Sequence, residues 1–402
     1  MTKSPRIGFI SVPMSDRWKS AGVLLFAGLL LPACGSGTTS PGNSGGSLTI
    51  ASSNPMSGND GYYGQDKVRA IQLAIDEVNA SGGVNGRKLE LKVDDDGGDP
   101  AQGASLAARE CSDQSILAVI GHWNSSVSLA AAPIYKRCNL PNINDDTTQK
   151  LSGISPDTFR LFATGLIEGK YLAQYAYGVG YRTAAVLIDT NDYGLSLSGA
   201  FQQDFQQLGG KTVATASYVD GDTNFAPQAD NFKSANPDVV FIAGYDLETA
   251  LAAKAFRGVG MTQPLMGGDG IDAPQLVKVG GSAVEGIVFA DDYSAQLKST
   301  ENQAFVQKWE QKYSSPPDTF AALAYDTTNL LIAAMKSGAT TRSAIQQWLT
   351  KVKNFPGVTG IISFDSQHDA ARSVYMLKVQ SGHIVLNDKQ VKNGQVVPSS
   401  EI

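Results

Sequence analysis

Six stretches of this chain gather hydroxyl, carboxylate, amide and aromatic side chains directly after short apolar runs: residues 52–57, 121–126, 144–148, 189–193, 244–246 and 267–269. The apolar runs read as strands, and in open α/β sheets ligands bind outside the carboxyl ends of strands. These loops are therefore the candidate site on position alone. Gly, Asn, Asp and Ser also dominate ordinary turns, so no single loop identifies a site. Covalent and metal chemistry finds little support. Gly210-Lys211-Thr212 looks like the end of a phosphate-binding loop, but Phe205 stands where a Gly is required, and a strand follows rather than a helix. No G-x-S-x-G serine sits on a strand-to-helix turn, no H-E-x-x-H or C-x-x-C occurs, and no G-x-G-x-x-G opens a helix after a strand. The acidic run 94–99 suggests Ca²⁺ but lacks the EF-hand spacing and its late Glu, so a capped, solvated loop is the expectation. His122 follows a strand and could act as a base, yet no nucleophile is identifiable beside it; a structural or pocket-wall role is the plainer reading. No cofactor and no metal are called for.

The elements that must position these loops alternate along the chain. Residues 48–51 read as a strand, and Val68, Ile71, Ile75 and Val78 recur at helical spacing until Ser81-Gly82-Gly83 stops the helix. Residues 88–94 alternate as a strand, and Asp99-Pro100 reads as an N-cap followed by proline at the first helical position. The rhythm continues through strands at 117–121, 140–143, 184–189, 212–218 and 239–243, with helices between them. Such alternation predicts parallel sheets with helices on both faces. Nine or so strands in two runs suit two doubly wound α/β units better than one sheet. Beyond Pro264 the pattern is less regular, with a strand at 287–290, helices at 301–313 and 320–337, and late strands at 359–364 and 373–379, the second pairing with 383–389.

A chain of 402 residues suggests two or three domains. With 17% charged and 42% hydrophobic residues the composition is globular, and a net charge of −6 argues against a nucleic-acid partner. The amino terminus carries Lys3, Arg6, Arg17 and Lys19 and then an uncharged apolar run at 21–31. Eleven residues are too few to span a bilayer but suit the core of a secretory signal. The run ends in Leu31-Pro32-Ala33-Cys34-Gly35, which resembles the lipobox of bacterial lipoproteins; residues 1–33 are thus expected to be a signal peptide and Cys34 the lipidated residue. Translation from Met14 would give a more ordinary signal. Residues 34–47 form a Gly/Ser-rich tether, with an r.m.s. span of roughly 20 Å. Removing 1–33 takes away four basic residues and one acid, leaving 369 residues with 28 basic and 37 acidic groups, a net charge of −9. Attachment to a membrane is then through lipid rather than basic charge.

Residues 48–80 followed by Gly82-Gly83-Val84-Asn85-Gly86-Arg87 resemble the opening of the leucine/isoleucine/valine-binding proteins, type I periplasmic solute-binding proteins of ABC importers. The runs 94–100 (DDDGGDP), 120–135 (IGHWNSSVSLAAAPIY), 189–194 (DTNDYG), 265–270 (LMGGDG) and 317–331 continue the match in order. The resemblance implies two Rossmann-like lobes joined by three crossovers with one ligand in the cleft: 48–165 plus 293–356 as the first lobe, 166–292 plus 357–402 as the second. It implies binding rather than catalysis, with an amino acid or a close relative as ligand, hinge closure as mechanism, and a permease and ATPase as partners of an exported monomer.

By the same resemblance the ligand α-carboxylate is expected near Ser125 and Thr147, with Ser126 also among the binding residues, and the α-ammonium near Asp269, where branched-chain binders carry Glu. Tyr63, Tyr193 and Tyr245 match aromatic wall positions, and Trp123 adjoins the Ser125 loop. Asp145 stands where the family has a small residue; it either adds a carboxylate to the cleft, favouring a cationic or polar ligand, or points with Asp146 to solvent. Cys111 and Cys138 lie near the ends of successive helices flanking one strand, away from the cysteine pair of branched-chain binders, and a 111–138 disulfide is expected in an oxidising compartment. A ligand-sensing role, or a ligand among amides, urea and quaternary amines, fits the same pattern.

Overall fold

The computed structural model describes residues 46–402; the expected signal segment, Cys34 and most of the tether lie outside the described residues. Among the described residues no helix is long and apolar enough to cross a membrane. The chain opens with β1 (Leu48–Asn54), α1 (Gly61–Ala80), β2 (Leu89–Asp95), α2 (Pro100–Ser112), β3 (Ile116–Ile120), α3 (Ser125–Arg137), β4 (Asn142–Asn144) and β5 (Thr158–Arg160). These five strands form a parallel sheet in the order β2-β1-β3-β4-β5. Asp99 caps α2 as its position before Pro100 predicts, accepting the Gln102 N–H at 2.7 Å. β5 was not legible in advance, because three residues are too short for a periodic signal.

After a first crossover at 161–164 the pattern repeats with α4 (Gly165–Gly178), β6 (Thr183–Asp189), α5 (Asp192–Gln207), β7 (Lys211–Tyr218), α6 (Ala226–Ala235), β8 (Val239–Ala243), α7 (Asp246–Gly258), β9 (Leu265–Gly267), α8 (Pro274–Gly280) and β10 (Val288–Asp291). A second crossover returns the chain to α9 (Thr300–Tyr313), α10 (Thr319–Lys336), α11 (Arg342–Leu349) and the hairpin β11 (Phe355–Gly357) and β12 (Gly360–Ile362). The chain ends with the hairpins β13 (Tyr375–Gln380) with β14 (His383–Leu386), and β15 (Lys389–Lys392) with β16 (Gln395–Pro398). The second sheet runs β14-β13-β10-β9-β8-β6-β7. Its parallel part has the same winding as the first sheet, and β13 and β14 extend it antiparallel. Parallel strands buried on both faces must be apolar throughout, and β8 (VVFIA) is buried at every position.

One lobe boundary differs from the expectation. Residues 357–364 stay with the first sheet: Asp326 on α10 accepts the Val358 and Thr359 N–H groups at 2.8 and 2.9 Å, and Phe364 packs edge-on against Phe159. The third crossover therefore follows the 364–370 bridge. A buried carboxylate recruits donors wherever the chain can supply them, and the loop after β11 supplies two.

Cys111 at the end of α2 and Cys138 at the end of α3 form a disulfide, with their Cα atoms 5.6 Å apart. Beside it the Arg342 guanidinium donates to the carbonyls of Glu110, Cys111, Asp113 and Ile116, and at 3.5 Å to that of Cys138 at the end of α3. This tie holds the two helix ends in place without the crosslink, so the disulfide acts mainly by restricting the unfolded chain. Replacing both cysteines with serine is expected to lower unfolding free energy by about 3 kcal/mol, read as a shift of the urea midpoint with the native circular dichroism unchanged.

Candidate functional site

The strand-end loops of both sheets meet across one cleft. From the first lobe come Tyr63 on α1, the 121–125 loop with the start of α3, and the 144–148 loop; from the second come Tyr193 on α5, Tyr245 before α7, and Asp269 after β9. Direct bonds join the two sides. The Tyr63 hydroxyl donates to Asp246 Oδ1 at 2.9 Å and is 2.8 Å from the Gly270 carbonyl. Gly165 at the start of α4 donates to the Thr147 carbonyl.

Aromatic rings form the wall. Trp123 stacks on Tyr63 with centroids 4.1 Å apart and tilts against Tyr245 at 4.9 Å, and Tyr245 stacks on Tyr193 at 5.2 Å. Phe320, in the first turn of α10, meets Tyr63 and Trp123 edge-on. All five rings are buried. Phe320 escaped the sequence reading because at helical spacing it is indistinguishable from a core residue.

Polar groups from both lobes accompany these rings. Ser125 opens α3, and Asn124 before it leaves that helix start without a side-chain cap, since its amide donates to Asp60 instead. An uncapped helix N-terminus favours an anion. Among the described residues the buried Thr147 hydroxyl has no hydrogen-bond partner, and on the other lobe the buried Asp269 Oδ1 has none either. The Asp269 N–H donates to Glu168 Oε1 at 2.8 Å, and the Gly270 N–H donates to the Tyr193 hydroxyl at 3.0 Å. Burial pushes the Asp269 carboxyl up to about 7, against hydrogen bonds from Glu168 and Tyr193 that hold it down. Burial and the neighbouring Asp269 charge hold Glu168 well above the usual carboxylate range. The two acids therefore share their ionisation, and an added cation favours the charged form. The glycines flanking Asp269 are required by this packing: a Cβ on Gly268 would lie 2.4 Å from Leu197 and 2.6 Å from Glu168 Oε1.

Residues 47–383 match the family described as periplasmic binding protein. The chain belongs to the periplasmic binding protein family. It is 27% identical over 362 residues to a Leu/Ile/Val-binding protein homolog of Brucella abortus, covering 88% of this chain and 95% of that protein. It is 25% identical to an amino acid binding protein of Pseudomonas aeruginosa, covering 82% and 89%. Among solved structures, the leucine-binding protein LivK of Thermotoga maritima superposes with a TM-score of 0.81 at 31% identity, covering 88% of this chain and all of that one. The substrate-binding protein LivJ of Streptococcus pneumoniae, in complex with isoleucine, gives a TM-score of 0.81 at 28% identity, covering 88% and 99%. The doubly wound two-lobed α/β architecture expected from the sequence is that of the type I periplasmic binding proteins.

Two of the expected site residues have partners within the protein. Asp145 is buried rather than turned to solvent. It forms a buried ion pair with Lys67 of α1 at 2.5 Å, and Lys67 also donates to Asn54 Oδ1 at 2.6 Å. Its charge is therefore neutralised inside the protein. Asp146 is likewise buried, and burial raises its carboxyl to about 6 while Arg160 holds it down. Ser126 directs its hydroxyl to the other lobe: it donates to Asp192 Oδ2 at 2.9 Å and accepts the Asp192 N–H at 3.2 Å, while Lys150 pairs with Asp192 Oδ1 at 2.6 Å. Ser126 thus clasps one lobe to the other.

His122 is a buried structural residue, its nitrogens engaged by Asp96 at 2.6 Å and the Tyr135 hydroxyl at 3.0 Å. The 94–99 loop is internally capped, with Asp95 accepting from Met56, Ser57 and Gly97. Among the described residues no group of three or more His, Cys, Asp or Glu could hold a metal ion. Glu168 carried no signal in the sequence, and Asp192, although inside the 189–193 loop, could not be assigned its role, because the partners lie 101 and 66 residues away.

Proposed function

We propose that this protein is the extracytoplasmic substrate-binding component of an ABC importer, taking a branched-chain or similarly apolar amino acid between its lobes. The observation that carries the reading is a pair of buried polar groups without a partner among the described residues, the Thr147 hydroxyl on one lobe and Asp269 Oδ1 on the other, together with buried aromatic rings that pack across the two lobes. Thr147, Ser125 and the start of α3 would take the α-carboxylate; Asp269, supported by Glu168, would take the α-ammonium; Tyr63, Trp123, Tyr193 and Tyr245 would enclose the side chain. Neutralisation of Asp145 by Lys67 favours an apolar side chain over a basic one. The proteins it resembles in the family supply the transport context. Binding proceeds without turnover. Export by residues 1–33, lipidation of Cys34, the tether and delivery by a monomer to a permease and ATPase complete the proposal.

Calorimetry of the purified protein with leucine, isoleucine, valine, lysine, glycine betaine, isoamylamine and isocaproate tests it. The branched-chain amino acids should bind, and isoamylamine and isocaproate, each lacking one end group, should bind at least 100-fold more weakly. Binding of isocaproate or betaine in preference to leucine would overturn the assignment.

The clasp predicts a kinetic effect. The ligand stabilises the closed arrangement, and contacts between lobes add to that preference. Replacing Asp192 with alanine removes the Ser126 bonds and the Lys150 pair. Lys150 is two-thirds exposed and its pair contributes little. Leucine affinity should fall about three- to tenfold, mostly as faster dissociation in stopped-flow measurements.

A further inference from the structure

Behind the aromatic wall lies a separate cavity of about 580 Å³. Adjacent residues face its two sides. Tyr63 and Phe320 belong to the cleft wall, whereas Tyr62 and Thr319 line the cavity. Its walls come from both lobes and from the second crossover, through Asp318 and Thr319 at the start of α10, Asp272 and Val277 of the second lobe, and Tyr293 between them.

The polarity of the cavity is uneven. One end holds Asp272, Asp318, Thr319 and Tyr62; the rest is largely apolar, with Val277, Val306, Leu377 and Ile384 among its walls. Asp272 and Thr319 are almost completely buried. Asp272 accepts the Thr319 N–H at 3.3 Å, and Asp318 Oδ1 accepts the Ala321 N–H at 2.7 Å as the cap of α10. Asp318 Oδ2 and the Thr319 hydroxyl are buried and have no partner in hydrogen-bonding geometry. Two more carboxylates stand nearby: Asp66, close to Tyr62 and Asp318 and paired with Arg69, and the fully buried Asp291 against Asp272 and Thr319. Among the described residues neither Asp272 nor Asp318 forms an ion pair. Lys278 lines the cavity but is exposed, as is Glu310. Burial, together with the neighbouring acids, holds the Asp318 carboxyl well above its ordinary range.

Buried Asp272 and half-buried Asp318, neither paired with a cation among the described residues, lie at one end of an apolar cavity and complement a ligand with the opposite layout. We propose that this cavity is a second binding site, distinct from the cleft, for a small organic amine whose ammonium faces Asp272 and Asp318 and whose apolar body fills the remainder. Cavities of roughly 300–1,000 Å³ accept such molecules, and an ammonium beside Tyr62 gains ring attraction as well. The inference stands independently of the ligand assigned to the cleft.

The probe is 2-phenylethylamine, with 2-phenylethanol and 3-phenylpropanoate as neutral and anionic counterparts, titrated into the purified protein by calorimetry. The amine should bind, and the alcohol and acid should bind at least tenfold more weakly. Asp318→Asn keeps a residue able to cap α10 and should weaken amine binding tenfold or more. Val277→Trp, which fills the cavity without touching the acids, should do the same. Asp269→Asn in the cleft should leave amine binding within about twofold. The proposal is overturned if the amine binds no better than the alcohol, if neither cavity variant weakens it, or if Asp269→Asn abolishes it, since the amine would then sit in the cleft. Should Asp318→Asn lose its native circular dichroism, the Val277→Trp result decides.

Discussion

Replacing Asp269 with asparagine is expected to weaken leucine binding by two to three orders of magnitude while leaving the unliganded protein at least as stable. The asparagine keeps the size of the side chain and removes its charge. Loss of one partner from a buried, hydrogen-bonded charge pair costs about 2–5 kcal/mol, and about 1.4 kcal/mol corresponds to each factor of ten in affinity. The unliganded protein has no cation at Asp269 Oδ1, and Asp269 shares a buried site with Glu168. Removing one of two mutually repelling acids relieves that site. Calorimetry supplies the affinity and a thermal melt the stability. Leucine affinity within threefold of the parent would remove Asp269 from the ammonium site. A fall in melting temperature large enough to account for lost binding would make its role structural.

The second large effect concerns stability. Lys67→Met is expected to cost about 3–5 kcal/mol, because it leaves Asp145 charged, buried and uncompensated. Lys67 is 1% exposed and Asp145 is 6% exposed, so water cannot replace the lost partner. Adding Asp145→Asn to Lys67→Met should recover much of the loss, since the uncompensated charge is gone. A double-mutant cycle by urea unfolding measures the coupling. Additive single effects would show that the two charges do not depend on each other. The same cycle tests the specificity argument: if Asp145 is neutralised by Lys67, then Asp145→Asn in the parent background should not shift the preference from leucine toward lysine.

Much of the fold was readable because its signals are local. Alternation of strand and helix, the Asp99-Pro100 start of α2 and the 81–83 stop of α1 each depend on a few adjacent residues. The three-residue β5 holds too few positions for a periodic pattern. The lobe boundary after β11 was misplaced because Asp326, far back in the chain, decides which lobe keeps residues 358 and 359. The site followed the same division. The loops bearing Tyr63, Trp123, Ser125, Thr147, Tyr193, Tyr245 and Asp269 were recognisable by position and resemblance, and the structure brings these loops to one cleft.

What the sequence by itself determined is the order of elements, the loops that end the strands and the residue types placed on them. Those properties follow from propensity and periodicity, which act over a few residues. What only the tertiary structure decided is the state of each polar group. Asp145 is neutralised by a lysine 78 residues away, Ser126 is drawn to an aspartate 66 residues away, and Asp269 rests on a glutamate 101 residues away. Whether a carboxylate is a free charge, a paired one or a shared proton depends on burial and on neighbours brought in from elsewhere in the chain, and neither is written in the residues beside it.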